Sequence, residues 1–170
     1  MRSVIHDSSS RTRFAPDLLR GQVALITGGG TGMGRATAIE MACCGARIAL
    51  LGRRIDPIES TAKVIRDAGG EAFAVSADIR EPDLIERAMQ KIKAEFGGLN
   101  ILVNNAGGQF VTPASELSNK GFETVIRNNL IGSWQVYGSA PPLLNQMKTL
   151  AYGQFSTHSL SIVPLFLLMG

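Results

Sequence analysis

The stretch Thr27-Gly28-Gly29-Gly30-Thr31-Gly32-Met33-Gly34 constrains this chain more than any other. It follows a short aliphatic run, Val23–Thr27, and precedes a helix-compatible segment, Arg35–Cys44. Glycine lets the backbone turn sharply between the two. It also lets an anionic group approach the helix N-terminus, where the first N–H groups have no partner in the helix. A glycine-rich turn by itself signals only a tight bend. Its place between a strand and a helix points to a dinucleotide pyrophosphate. The spacing is T-G-x-x-x-G-x-G rather than G-x-G-x-x-G.

The chain after this point keeps the same rhythm. Arg47–Leu51 reads as a second strand after a helix closed by Gly45. Ile55–Ala68 reads as a helix, with Asp56 as its cap, Pro57 in its first turn and Gly69-Gly70 beyond its end. Ala72–Ser76 reads as the third strand. Pro82–Phe96 reads as a helix, with Leu84, Ile85, Ala88, Met89, Ile92 and Phe96 on one stripe. Leu99–Val103 reads as the fourth strand. A long loop follows, then a helix from about Ser118 to Trp134. Strands that are apolar on both sides and alternate with helices predict a parallel sheet covered on both faces. The expected fold is a Rossmann-type doubly wound α/β sheet, cut off after the fourth strand and its following helix. Residues 1–20 read as a loose polar leader, 21–136 as the nucleotide-binding half-domain and 137–170 as an atypical tail.

The candidate site residues lie at the strand ends, where such sheets bind ligands. An NAD-binding sheet carries an acid at the end of its second strand, which accepts from the ribose 2′-OH. Here Leu51-Gly52 is followed by Arg53-Arg54. Arginine matches a 2′-phosphate through a forked, charge-assisted contact. The alternative is that both arginines are solvated surface charges. Asp78, after the third strand, is placed either to accept from an adenine amino group or to cap the next helix. Asn104-Asn105-Ala106-Gly107 ends the fourth strand, with side chains able to tie neighbouring strands together and small residues that leave room for a ribose.

TGGGTGMG, Asp78-Ile79, NNAG and Asn128-Asn129-Leu130-Ile131-Gly132, in this order and spacing, resemble the short-chain dehydrogenase/reductase family over residues 21–136. The segments Phe14–Val23, Asn104–Ala114 and Ser118–Phe122 are similar to its peroxisomal trans-2-enoyl-CoA reductase branch. The resemblance implies that Gly28, Thr31, Gly32, Met33 and Gly34 hold the pyrophosphate of NADP(H). It implies that Arg53, assisted by Arg54, takes the 2′-phosphate, that Asp78 and Ile79 frame the adenine, and that Asn105, Ala106 and Gly107 frame the ribose. Gln109 and Phe110 would lie beside an acyl-CoA substrate, although Phe110 also suits a buried loop anchor. Asn129 matches the asparagine of the family's catalytic tetrad. The implied activity is NADPH-dependent reduction of an enoyl thioester. A carbonyl or 3-oxoacyl reductase and a non-catalytic nucleotide-binding fragment are the alternatives. Complete relatives are expected to be homo-oligomers, cytoplasmic or peroxisomal.

The family's serine and Tyr-x-x-x-Lys pair find no match. Tyr137 is followed four residues on by Pro141, and Tyr152 by Ser156. Lys148 precedes Tyr152 by four, the reverse order, and His158 stands alone. Lys148 is the sole Asp, Glu, Lys or Arg from residue 137 on, so the tail reads as a frameshift or truncation product and the chain as inactive. The N-terminus is rich in Ser and Arg, as transit peptides are, yet Asp7 and its short length favour a solvated leader. The net charge of +3, without a basic and aromatic stripe, gives no case for nucleic acid. No apolar run reaches the roughly 18–20 residues that span a bilayer. No metal-ligand cluster is expected, and adjacent Cys43 and Cys44 read as small apolar residues of a helix.

Overall fold

Val23–Thr27 (β1), Arg47–Gly52 (β2), Ala72–Ser76 (β3) and Ile101–Val103 (β4) form one sheet in the computed structural model, which describes residues 14–140. The strand order is β3-β2-β1-β4 and every pairing is parallel. Four helices cover the sheet. Gly32–Cys43 (α1) and Ile55–Asp67 (α2) bury Ala38, Ala42, Ile58, Ala62 and Ile65 against Ala24, Ile26, Ile48 and Leu50. Pro82–Phe96 (α3) and Gly132–Ser139 (α5) bury Ile85, Met89, Ile92 and Val136 against Val23, Leu25, Ala49 and Leu51. Alternate residues of each central strand therefore serve opposite cores, which is why β1 is buried along its whole length. The expected Rossmann-type fold is the fold observed.

The chain winds outward from β1 through β2 to β3, then returns to place β4 on the other side of β1. That reversal makes a switch point between the C-terminal ends of β1 and β4, where open α/β sheets leave a crevice. Two asparagines fasten this seam. At its lower end Asn100 Oδ1 accepts from the Val23 N–H at 2.9 Å. At its upper end the buried Thr27 Oγ1 accepts from the N–H groups of Asn105 and Ala106, at 3.0 and 2.9 Å. Asn105 Nδ2 returns a bond to the Thr27 carbonyl at 2.9 Å.

The segment after β4 contains a short 3₁₀ turn, Ala114–Glu116, and then a helical run: Asn119–Ile126 (α4), a π-turn over Arg127–Ile131, and α5. Ser118 caps α4, its hydroxyl accepting from the Gly121 N–H at 3.1 Å. The run extends past Trp134, where the sequence reading ended it, and includes Tyr137-Gly138-Ser139. Val136 and Ala140 are fully buried in the α3 face, and that packing outweighs a glycine in the last turn.

Other boundaries also moved. α1 begins at Gly32 rather than Arg35, because the Arg35 N–H already reaches the Thr31 carbonyl at 3.2 Å. Asp56 does not cap α2. The cap position is Arg54, no side chain caps the helix, and Asp56 sits in the first turn, where the helix dipole favours an acid. Within residues 1–20, read as a loose leader, Leu19 is held against the domain. The Leu19 N–H donates to the Cys44 carbonyl at 2.8 Å, and Leu19 packs against the α1–α2 core. Residues 1–13 and 141–170, and with them the readings made of Lys148, Tyr152 and His158, lie outside the described residues.

Thr27→Val tests the seam. Valine keeps the shape but leaves two part-buried N–H groups without an acceptor, at about 1–2 kcal/mol each. Urea unfolding should show a loss of about 2–4 kcal/mol. A loss below about 0.5 kcal/mol would show that the seam does not depend on this hydroxyl.

Candidate functional site

A cleft of about 270 Å³ opens over the switch point. Gly28, Thr31, Met33 and Gly34 form one wall, Leu51, Gly52 and Arg53 a second, and Ala77, Asp78 and Ile79 a third. Asn105, Ala106, Gly107 and Asn128 close the remaining side. Each group comes from the C-terminal end of a strand or the turn after it, and Asn128 comes from the π-turn.

The glycine loop does two separable things. Gly28 and Gly34 close the loop on itself. A Cβ at Gly34 would stand 2.4 Å from the Gly28 carbonyl oxygen, and one at Gly28 would stand 2.9 Å from Asn105 Nδ2. Gly32 is different. Its φ is +51°, yet a Cβ there would meet nothing within 4 Å. The space beside Gly32 is therefore open. No side chain caps α1 and no acid occupies its first turn. The unpaired N–H groups of that turn, an open approach and a positive dipole end are what a pyrophosphate requires.

Arg53 lines the cleft at the end of β2 and is exposed. Its carbonyl accepts from Ser76 Oγ at 3.0 Å, which ties the ends of β2 and β3 together. Its guanidinium has no hydrogen-bond or ion-pair partner among the described residues. Arg54, read as its assistant, does not line the cleft. It holds the cap position of α2.

Asp78 does not cap α3, whose cap position is Glu81. Its carboxylate is held instead by Arg80. Oδ1 accepts from the Arg80 backbone N–H at 3.0 Å and from Nε at 2.9 Å, and Oδ2 accepts from the guanidinium at 2.5 Å. These bonds to Arg80 hold the Asp78 carboxyl below the usual carboxylate range, against the opposing effect of its burial, and the positive charge of Arg53 adds to the lowering. Ile79 is buried, and a Cβ at Gly132 would stand 2.8 Å from its Cδ1, so its side chain joins α5 to the sheet.

The asparagines divide their work. Asn105 Nδ2 donates to the Thr27 and Gly28 carbonyls, so it fixes the mouth of the glycine loop. Asn129 makes two bonds to one residue, Oδ1 accepting from the Gly108 N–H at 2.8 Å and Nδ2 donating to the Gly108 carbonyl at 3.0 Å. It thus clamps the loop after β4, and Asn128, its neighbour in the π-turn, forms the cleft wall. Asn128 was not singled out from the sequence as a site residue. Both asparagines sit in the widened turn, with Asn128 on the cleft wall and Asn129 on Gly108. Gln109 and Phe110 are exposed on the loop beyond and do not line the cleft.

Comparison with known proteins agrees with this geometry. The family model described as short chain dehydrogenase matches residues 22–153. The chain belongs to the short-chain dehydrogenase family. It is 37% identical over 144 residues to a peroxisomal 2,4-dienoyl-CoA reductase [(3E)-enoyl-CoA-producing] of Arabidopsis thaliana, covering 85% of this chain and 47% of the relative. It is 38% identical over 124 residues to the mouse (Mus musculus) enzyme of the same name, covering 72% of this chain and 42% of that one. A solved citronellol catabolism dehydrogenase of Pseudomonas aeruginosa superposes with a TM-score of 0.73 at 41% identity, over 78% of this chain and 54% of the other. The chain spans about half the length of these curated relatives. The two reductases' names carry a 2,4-dienoyl-CoA substrate, where the sequence resemblance implied a trans-2-enoyl-CoA. No described helix is long and apolar enough to cross a membrane, and no described cluster of His, Cys, Asp and Glu is suited to a metal.

The bonds from Arg80 make the contribution of Asp78 to stability depend on pH. The pairing stabilises the fold above the ordinary carboxylate range, and this contribution is lost as pH falls through the lowered folded value. Between about pH 5 and pH 2 the unmutated chain should lose more stability than Asp78→Asn, read from urea midpoints across the series. Parallel pH profiles would contradict the pairing.

Proposed function

We propose that residues 14–140 form the NADP(H)-binding half of an oxidoreductase that reduces an unsaturated acyl-CoA. One observation carries the cofactor reading: Arg53, unpaired among the described residues, stands in the cleft where an NAD-binding sheet places an acid. Its fork suits the 2′-phosphate. The N–H groups of Gly32, Met33 and Gly34 suit the pyrophosphate, and Asp78 the adenine amino group. Gly107, where a Cβ would stand 2.8 Å from Asn129 Oδ1, keeps the ribose wall low. Bound NADPH would supply the hydride.

The substrate reading follows the relatives' names, which favour a 2,4-dienoyl-CoA over a trans-2-enoyl-CoA. Conversion of a 2,4-diene to a 3-ene places one hydrogen at C2 and the other at C5. One arrives as hydride and the other as a proton, so the reaction needs a proton donor. No tyrosine, lysine, histidine or cysteine of the described residues lines the cleft. In this reading the donor comes from outside residues 14–140. Asn129 acts as a positioning residue that holds the Gly108 backbone, and Gln109 and Phe110 meet the acyl chain from the exposed loop beyond that clamp. A peroxisomal setting is supported by the same relatives' names.

Cofactor choice is read by nucleotide-dependent stabilisation. A nucleotide at about 100 times its Kd raises stability by about 2.7 kcal/mol. NADPH should raise the Tm of the full chain more than NADH does, and Arg53→Ala should remove that difference. Equal shifts in the unmutated chain would overturn the NADP(H) reading. The substrate loop is tested separately, by transfer of label from 4-deuterated NADPH to a 2,4-dienoyl-CoA. If the chain turns over, Gln109→Ala/Phe110→Ala should raise KM about tenfold or more and leave NADPH binding within about twofold. An unchanged KM would remove both residues from the substrate site.

A further inference from the structure

Arg53 and Asp78 are the two charged side chains that line the cleft. They have opposite signs and sit at the ends of neighbouring strands, β2 and β3, which the Ser76–Arg53 hydrogen bond draws together. Left to themselves such groups pair, and an Arg53 engaged by a carboxylate would have to break that contact before meeting a phosphate. The described structure shows another arrangement. Asp78 turns its carboxylate to Arg80, two residues on, and both of its oxygens are engaged there. The Asp78 side chain is 19% exposed and that of Arg80 35%, and the contact is held by the forked geometry of the guanidinium on both carboxylate oxygens. Arg80 itself does not line the cleft.

We propose that Arg80 is a positioning residue for phosphate selection: by holding the Asp78 carboxylate it keeps the Arg53 guanidinium available to a 2′-phosphate. With Arg80 in place the three side chains leave one unmatched positive charge, and it belongs to Arg53. Without Arg80 the charge at the cleft sums to zero, and Asp78 competes with the ligand for the same fork. The backbone bond from the Arg80 N–H to Oδ1 survives substitution of the side chain. The carboxylate therefore stays near the cleft and is released from only one of its constraints. This proposal rests on the NADP(H) reading above and goes beyond it, since that reading needs only Arg53.

The test compares two ligands that differ in one group, adenosine 2′,5′-bisphosphate and adenosine 5′-monophosphate. Isothermal titration calorimetry on the full chain gives the ratio of their Kd values, and circular dichroism checks that each variant keeps its fold. The unmutated chain should prefer the bisphosphate. Arg80→Ala should lower that preference by about tenfold, equivalent to about 1.4 kcal/mol. In the same background Asp78→Asn should restore the preference, because it removes the competing charge. Arg80→Lys, which keeps a charge without the fork, should fall between and serves if the alanine variant unfolds. An unaltered ratio in Arg80→Ala or Arg80→Lys would overturn the role of Arg80 and leave the NADP(H) reading intact. A lowered ratio that Asp78→Asn fails to restore would also overturn it, by showing that Arg80 meets the phosphate directly. Equal affinity of the unmutated chain for the two ligands would instead overturn the NADP(H) reading.

Discussion

The hydrogen bonds between Thr27 and the start of the Asn105 turn are the constraint on which the site depends. The two segments lie 76 or more residues apart in sequence, yet the threonine hydroxyl accepts from two consecutive N–H groups and the asparagine amide answers to the Thr27 and Gly28 carbonyls. This fixes the distance between the β1 and β4 ends. It thereby sets the floor of the cleft and the path of the glycine loop, since Gly28 and Gly34 are packed against the same Asn105 side chain. A larger residue at either glycine would strike the seam before it met any ligand.

The glycine-rich motif thus serves two purposes that its letters do not separate. Gly28 and Gly34 are required by contacts within the protein, whereas Gly32, whose φ is positive like that of Gly28, opens onto empty space. The phosphate-binding assignment rests on Gly32 and the uncapped first turn of α1. At the other end of the cleft an arginine stands in the open while the adjacent acid is occupied by Arg80. The polarity of the cleft follows from these local pairings and not from the net charge of the chain.

Much of this was legible in the sequence, for physical reasons. The strands β1 and β3 and the helix α3 fell within the bounds expected from them, because aliphatic runs, glycine stops and a 3.6-residue stripe report directly on burial. The order of motifs placed Arg53, Asp78 and Asn105 at the strand ends. What the sequence hid was set by tertiary contact. The helix through Tyr137–Ser139 persists because Val136 packs into the core. The partner of Asp78 was hidden because two readings of a lone acid were open and Arg80 satisfies a third. Asn128 and Asn129 are interchangeable as letters, and only the tertiary structure shows that one lines the cleft and the other holds Gly108.

The central claim is that the switch-point cleft holds NADP(H) with its 2′-phosphate on Arg53. A crystal structure of the full chain grown with NADPH measures this most directly. The expected density has the pyrophosphate against the N–H groups of Gly32–Gly34 and a 2′-phosphate oxygen about 3 Å from the Arg53 guanidinium. A nucleotide bound elsewhere, or one in this cleft with its 2′-phosphate turned away from Arg53, would contradict it.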